Sequence, residues 1–208
     1  MSEPNWIVAE RKIAKMICRE FQVEYEKGVC GRAWRGQDGG DMIIPDELYA
    51  KGFCFMPEVK AQKQWGTPDL FRWIIQAQQN AIHENEKKSR IKKGEFFFWV
   101  LVLWKSMKDS PCIIQRTRCL QFDADADYQL SYFSERDLLD RELSKRHRRK
   151  WSTKALWDKI IVAQTSLPEK YRYDYCIAIE DFSIPDCKLL NFATFLKLLK
   201  SAAEPKAL

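Results

Sequence analysis

Residues 40–60 read GDMIIPDELYAKGFCFMPEVK, and this stretch decides the fold. Two largely apolar runs, at 41–44 and 53–60, flank a segment that is rich in turn-forming Pro, Asp and Gly. This arrangement predicts a β-hairpin. Pro57 lies within the second run. Because proline cannot donate a ladder hydrogen bond, we expect that strand at a sheet edge or with a bulge.

Two acids and a lysine lie on the predicted hairpin. If it is symmetric about its midpoint, Asp41 pairs with Glu58, and Lys60 shares the face of Glu58. Opposed side chains lie about 5 Å apart, and two carboxylates about 4 Å apart repel by about 4 kcal/mol at an effective dielectric constant of about 20. A divalent cation removes this repulsion, and oxygen ligands suit Mg²⁺ or Mn²⁺. Asp46 lies in the turn and would pair near position 53. That position is about 16 Å along the second strand from Glu58, so Asp46 is not expected to share the ion.

Helix and strand patterns alternate on either side of the hairpin. Residues 6–22 predict an amphipathic helix, and Glu10 lies on its apolar stripe, where a carboxylate either reaches water at the rim or points into a site. Thr67 predicts the N-cap of a second helix, and the apolar run at 96–104 predicts a strand buried on both faces. Other segments predict a mobile loop at 28–40, strands at 112–120 and 175–179, helices from 134, over 152–164 and over 192–200, and a loop at 186–188.

The order of these elements predicts a single α/β domain over 1–208. Hydrophobic residues make up 46% and charged residues 31%, which argues against global disorder. The longest apolar run has nine residues, 96–104, against about 20 for a membrane-spanning helix, so no span is expected. The first residues show no basic and apolar leader pattern, so no secretory signal is expected.

Cysteine usage and charge indicate the cellular compartment and the partners to be expected for the chain. The seven cysteines form no C-x-x-C pair, which predicts free thiols in a reducing cytoplasm and no zinc site. The net charge is +6, and it is uneven: residues 1–60 carry nine basic and ten acidic side chains, whereas the remainder carries 26 and 19. Basic runs at 87–93 and 145–150 are either solvated helix ends or phosphate-binding segments. Nucleic acid is therefore a plausible partner.

The stretch at 58–60, Glu-Val-Lys, is one of several acid-x-Lys patterns, but only here does the pattern combine a strand, an opposed upstream acid and a following helix. In this context the chain resembles the PD-(D/E)xK nuclease superfamily. Within it, residues 6–105 resemble the Holliday-junction resolvase-like and phage-type endonucleases. The resemblance is carried by Ala9-Glu-Arg11, Gly40-Asp41, Glu58-Val-Lys60, Trp73-Ile-Ile-Gln-Ala77 and Trp104-Lys105. The chain departs from the family pattern in the Met-Pro before Glu58 and in an insertion at about 121–166.

The resemblance implies a restriction-endonuclease-like mixed central β-sheet flanked by helices, with its core at about 6–120 and 170–200 and a helical insertion at about 121–166. It implies a Mg²⁺ ion, replaceable by Mn²⁺, held by Asp41, Glu58 and the Val59 carbonyl. Lys60 and Glu10 complete the implied catalytic set. The implied DNA-binding residues are Arg32, Arg35, Gln76, Lys105, Arg146, Arg148 and Arg149.

The implied activity is metal-dependent hydrolysis of DNA, with branched DNA or a Holliday junction as the substrate. Symmetric incision of a four-way junction predicts a homodimer, and the implied location is the cytoplasm of a bacterium or a phage-infected host cell. Two alternatives stay open. One is a nucleic-acid-binding module with an inactive nuclease fold, and the other is an unrelated α/β domain whose acids form ordinary surface ion pairs.

Overall fold

The structure is a computed structural model, which describes residues 5–25, 31–32, 42–43, 48, 55–87, 98–115, 150–154, 177–178 and 187–203. Three helices are described: α1 (Asn5–Phe21), α2 (Thr67–Lys87) and α3 (Phe192–Ala203). The strands are β1 (Gly31–Arg32), β2 (Met42–Ile43), β3 (Phe55–Lys60), β4 (Gln64–Gly66), β5 (Phe98–Leu103), β6 (Pro111–Gln115), β7 (Lys150–Ser152), β8 (Ile177–Ala178) and β9 (Cys187–Asn191).

The principal sheet is mixed and has the strand order β3-β5-β6-β9-β8. Strands β3 and β5 are parallel, with Glu58 aligned to Leu101, and the remaining pairs are antiparallel. The parallel pair is joined through α2, as parallel strands require a long crossover connection. Sheet and helices together confirm the predicted α/β class. Among the described strands β3 lies at one edge, which suits Pro57.

Strand β5 is buried on both faces because its sequence, FWVLVL, offers no polar position. The side chains of Trp99 to Leu103 are each at most 2% exposed. The prediction of a central strand at 96–104 is confirmed by this strand, which lies between β3 and β6.

The helices cover opposite faces of the sheet. The ring of Phe55 on β3 lies 6.3 Å from that of Phe21 in α1 and 5.7 Å from that of Phe195 in α3, measured between centroids. Phe55 therefore faces α1 and α3. Because side chains alternate along a strand, Glu58 and Lys60 point to the other face, and their contacts with α2 agree with this assignment.

Local capping sets the ends of the helices. Helix α1 ends at Phe21. The next residue, Gln22, has a left-handed φ of 56°, and the N–H of Val23 donates to the carbonyl of Cys18. Helix α2 begins at Thr67, so its N-cap is Gly66, one residue earlier than predicted. The Asp69 carboxylate accepts a hydrogen bond from the N–H of Gly66 at 2.9 Å.

The N-cap of α3 is Asn191. Its Oδ1 accepts hydrogen bonds from the N–H groups of Ala193 and Thr194, at 2.7 and 3.4 Å. Its Nδ2 donates to the carbonyl of Lys108 at 2.6 Å, so the same side chain joins α3 to the turn between β5 and β6.

Three local predictions need correction. The predicted loop at 186–188 is wrong, because Cys187–Asn191 form β9; the buried Leu189 and Leu190 make its pairing with β6 favourable. Gly31–Arg32 lie in a predicted loop but form β1. The described partner of β2 is β1, with Arg32 aligned to Met42, rather than β3 as a simple hairpin requires. Eleven residues separate β2 from β3 in the sequence, whereas the loop of a tight hairpin has about two to five.

Part of the predicted insertion at 121–166 packs against the rest of the described fold. Residues 150–152 form β7, which pairs antiparallel with β4, so this part of the insertion is a strand and not a helix. Thr153 is buried and its Oγ1 donates to the carbonyl of Gln62 at 3.2 Å. The rest of the insertion lies outside the described residues.

Two further expectations can be compared with the structure. Cys18 is disulfide-bonded, so the prediction of free thiols fails for this residue, because the spacing of the cysteines in the sequence does not reveal such a pair. Cys112 is free and buried in β6. In the described part of the chain, no helix has the length and apolar character needed to cross a membrane.

Candidate active site

Four polar side chains meet between β3 and α2. The ammonium of Lys60 lies 2.5 Å from Oε1 of Glu58 and donates to Oε1 of Gln76 at 3.1 Å. The amide of Asn80 donates from Nδ2 to Oε2 of Glu58 at 2.9 Å. These four residues are called the Glu58 cluster below.

The cluster forms because the residue spacing on strand β3 and the residue spacing on helix α2 bring these side chains to facing surfaces. Glu58 and Lys60 are two residues apart on β3 and so lie on one face. Gln76 and Asn80 are four residues apart on α2 and so lie one above the other on the helix surface. Strand β3 therefore presents a carboxylate and an ammonium group to the two amide side chains of α2.

Burial makes the cluster electrostatically significant. The side chain of Glu58 is 1% exposed and that of Lys60 is 18% exposed. A buried carboxylate loses its hydration and is tolerated when charged and polar partners replace the water. Lys60 supplies the charge and Asn80 supplies a hydrogen bond, one to each carboxylate oxygen. The acid is thus held at a fixed position beside an ammonium group.

Asn80 is the residue that sequence reasoning missed. A signal for it was present, because position 80 follows Gln76 by one helical turn and therefore lies on the same helix face. The resemblance implied Gln76 as a DNA-binding residue, and the structure places it in contact with Lys60. Its predicted role in DNA binding stays a prediction.

Glu10 is buried, at 4% exposure, on the inner stripe of α1. Helix α1 packs on the sheet face that carries Phe55, whereas Glu58 points to the face covered by α2. The structure therefore brings Glu10 and Glu58 to the sheet from opposite layers. The catalytic role of Glu10 stays a prediction, and this face assignment does not favour it.

The other predicted site residues are not members of the Glu58 cluster, and several of them lie outside the described ranges. Val59 lies between Glu58 and Lys60 on β3, with its side chain buried on the opposite face. Lys105 is exposed just after β5, and the backbone of Arg32 lies in β1. The residues outside the described ranges are Asp41, Arg35, Arg146, Arg148 and Arg149.

The donor set of the cluster can be compared with the needs of a divalent cation. Glu58 offers carboxylate oxygens and the neighbouring Val59 a backbone carbonyl, and such oxygens are the hard ligands that Mg²⁺ prefers. A carboxylate has about four lone-pair sites, so the two hydrogen bonds to Glu58 do not by themselves block a cation. Within the described ranges, no group of three or more His, Cys, Asp or Glu residues could hold a metal ion. The chemistry of the cluster therefore fits one side of a Mg²⁺ site, and the predicted second carboxylate, Asp41, lies outside those ranges.

Comparison with known proteins adds no relative. No protein-family model, curated protein or solved structure matches the chain.

Proposed function

We propose that the chain is a metal-dependent endonuclease that hydrolyses phosphodiester bonds in DNA. The observation that carries the proposal is the Glu58 cluster: a buried carboxylate at the end of an edge strand, with an ammonium 2.5 Å away and two amides that hold the pair. An acid and a cation fixed at such short range suit a reaction that places negative charge on a phosphate.

The proposed divalent cation is Mg²⁺, with Mn²⁺ as a substitute, and Glu58, the Val59 carbonyl and Asp41 are its proposed ligands. When bound, such an ion polarises the scissile phosphate and lowers the pKa of a coordinated water. The remaining steps belong to the chain. Lys60 donates a hydrogen bond to the phosphate or to the attacking water and stabilises the charge that develops in the transition state.

Gln76 and Asn80 are positioning residues in this proposal. Asn80 fixes Oε2 of Glu58, and Gln76 fixes the Lys60 ammonium, so that the two charged groups keep one relative orientation. Preorganised groups do not have to reorient during the reaction, which lowers its barrier. Neither amide carries the charge itself.

The proposed fold is the restriction-endonuclease-like sheet with an insertion at about 121–166. Arg32, Arg35, Lys105, Arg146, Arg148 and Arg149 are its proposed DNA-backbone contacts. Branched DNA is the proposed substrate and a homodimer the proposed assembly, acting in the cytoplasm. Backbone contacts position a nuclease without selecting sequence.

One observation favours a second candidate function. Both oxygens of Glu58 already accept hydrogen bonds, and Lys60 forms a closed ion pair with it. Such a pair also occurs as a purely structural element. The second candidate is therefore a nucleic-acid-binding module whose nuclease-like site is inactive.

A cleavage assay separates the two functions. The wild-type chain is incubated with four-way, flap and linear duplex DNA of matched sequence, once with Mg²⁺ and once with EDTA, and product ends are mapped. The nuclease predicts internal cuts in Mg²⁺ that disappear in EDTA. The binding module predicts retention of DNA in EDTA, with affinity that falls steeply with salt, and no cut under either condition.

A further inference from the structure

A cavity of about 480 Å³ lies beside the Glu58 cluster and is not part of it. Its walls come from four places in the chain: the first turns of α1, residues 61–63 after β3, residues 104–105 after β5, and residues 153–154 after β7. None of the four cluster residues is among its described lining residues.

The cavity lies where two parallel strands end. Strands β3 and β5 run in the same direction, so 61–63 and 104–105 leave the sheet at the same edge. The N–H of Trp104 in the cavity wall donates to the carbonyl of Lys60 at 2.8 Å, which fixes this wall directly against the cluster. The carboxyl ends of parallel strands are where open α/β sheets bind ligands.

The segment that closes the cavity is anchored to the core. The β4–β7 ladder and the hydrogen bond from Thr153 to the Gln62 carbonyl hold residues 150–154 in place. This segment begins at Lys150, the last residue of the basic run at 145–150. The insertion thus contributes a wall of the cavity.

The charged side chains among the described lining residues of the cavity are all positive. The described lining residues include four lysines and no acid; the lysines are Lys12, Lys63, Lys105 and Lys154. Asn5 and Val8, in the first turn of α1, also line it, and that turn carries no acidic residue. The amino end of a helix favours anions. A ligand with phosphate groups matches this environment.

One aromatic side chain completes the lining. Trp104 is half-buried, and the ammonium of Lys12 lies 5.7 Å from the centroid of its ring. A tryptophan with cations around it can stack a base while the lysines hold the adjoining phosphate. The lining therefore matches both parts of a nucleotide.

We propose that this cavity binds one nucleotide of a single-stranded DNA segment, with its phosphate among the lysines and its base against Trp104. This inference rests on the proposed nuclease function and specifies the substrate as DNA with a single-stranded part. The size of the cavity is in the range of small-ligand pockets. Duplex DNA keeps its bases within the stack and so cannot place one there without flipping it out.

The test measures binding without cleavage. Fluorescence anisotropy is recorded in EDTA with a labelled single-stranded oligonucleotide and with a duplex of equal length. The tested variant is K63A/K154A. Lys105 is left intact because it belongs to the DNA contacts already proposed. The matched control is K15A/K197A, which removes two exposed lysines, on α1 and α3, that do not line the cavity.

We expect K63A/K154A to weaken single-strand binding by about tenfold and to reduce the slope of log K against log salt by about 0.7, the value for one lost phosphate contact on a single strand. We expect Trp104→Leu to weaken the same binding by about fivefold or more through lost stacking. Duplex binding is expected to change much less in both variants, and the control to leave single-strand binding near the wild-type value.

Three outcomes overturn the proposal: unchanged single-strand binding in K63A/K154A, an equal loss in the control, or an equal loss for duplex. Unfolding curves of each variant identify any that fail to fold, and Trp104→Leu provides a second route to the same contact. Because binding is measured without metal, failure here leaves cleavage by the Glu58 cluster untouched. Conversely, if the chain does not cleave DNA, the binding measurement still tests the proposed nucleotide site.

Discussion

Glu58→Gln is expected to lower the rate of Mg²⁺-dependent DNA cleavage by about 10³-fold or more. The substitution keeps the shape of the side chain and its hydrogen bond with Asn80 can re-form through an amide oxygen, but the negative charge is lost. In the proposed function that charge holds a cation whose electrostatic contribution is several kcal/mol, and each 1.36 kcal/mol is a tenfold change in rate, so about 4 kcal/mol corresponds to about 10³-fold.

The control for this prediction is Glu20→Gln, which removes an acid from the far end of α1 and is expected to leave the cleavage rate within about twofold of wild type. Single-turnover rates on the preferred substrate, at saturating protein, separate the chemical step from binding. Equal rates for Glu58→Gln and wild type would contradict the assignment of the cluster as the catalytic site.

Lys60→Ala is expected to lower the single-turnover rate by about 10²–10³-fold, which is the usual loss for one preorganised electrostatic donor. It also leaves the buried carboxylate of Glu58 without its cation, so the free energy of unfolding is expected to fall, by up to about 3 kcal/mol. Lys60→Arg keeps the charge in a different shape and is expected to lie between Lys60→Ala and wild type in rate.

A double variant separates chemistry from stability at this position. In Glu58→Gln/Lys60→Met no charge is left buried, so stability measured by urea unfolding is expected to recover most of the loss seen in Lys60→Ala. The cleavage rate is expected to stay at least as low as in Glu58→Gln. Recovery of cleavage together with stability would mean that the ion pair acts only in folding.

The sequence predicted the parts of the fold that rest on a strong periodic pattern. The stripe at 6–22, the helix from Thr67 and the apolar run at 96–104 each correspond to an observed element. In each case the spacing of the apolar residues gives the same element that packing in the core favours, so local pattern and tertiary structure agree.

The predictions that failed depend on pairing between distant segments. Leu189 and Leu190 belong to a strand only because β6 lies alongside. The pairing of 150–152 with 64–66 likewise joins residues separated by a long insertion. Local propensity carries no information about such partners, and a strand of three residues has little pattern of its own.

The candidate site likewise has some features that local sequence predicts and others that depend on tertiary structure. The side-by-side placement of Glu58 and Lys60 follows from the strand period, and it was predicted. The resemblance implied that Gln76 belongs to the site but not that it contacts Lys60, and the second amide, Asn80, was overlooked. The placement of Glu10 opposite to Glu58 could not be predicted, because it depends on which face of the sheet α1 covers.

The most direct test of the central claim is the binding of Mn²⁺ to the free protein, followed by electron paramagnetic resonance of the unbound ion. Wild type and Glu20→Gln are expected to take up the ion saturably at a site for which Mg²⁺ competes, and Glu58→Gln is expected to lose that site. Saturable uptake of the same strength in Glu58→Gln, or no uptake in wild type, would contradict the claim that Glu58 and its neighbours hold a catalytic cation.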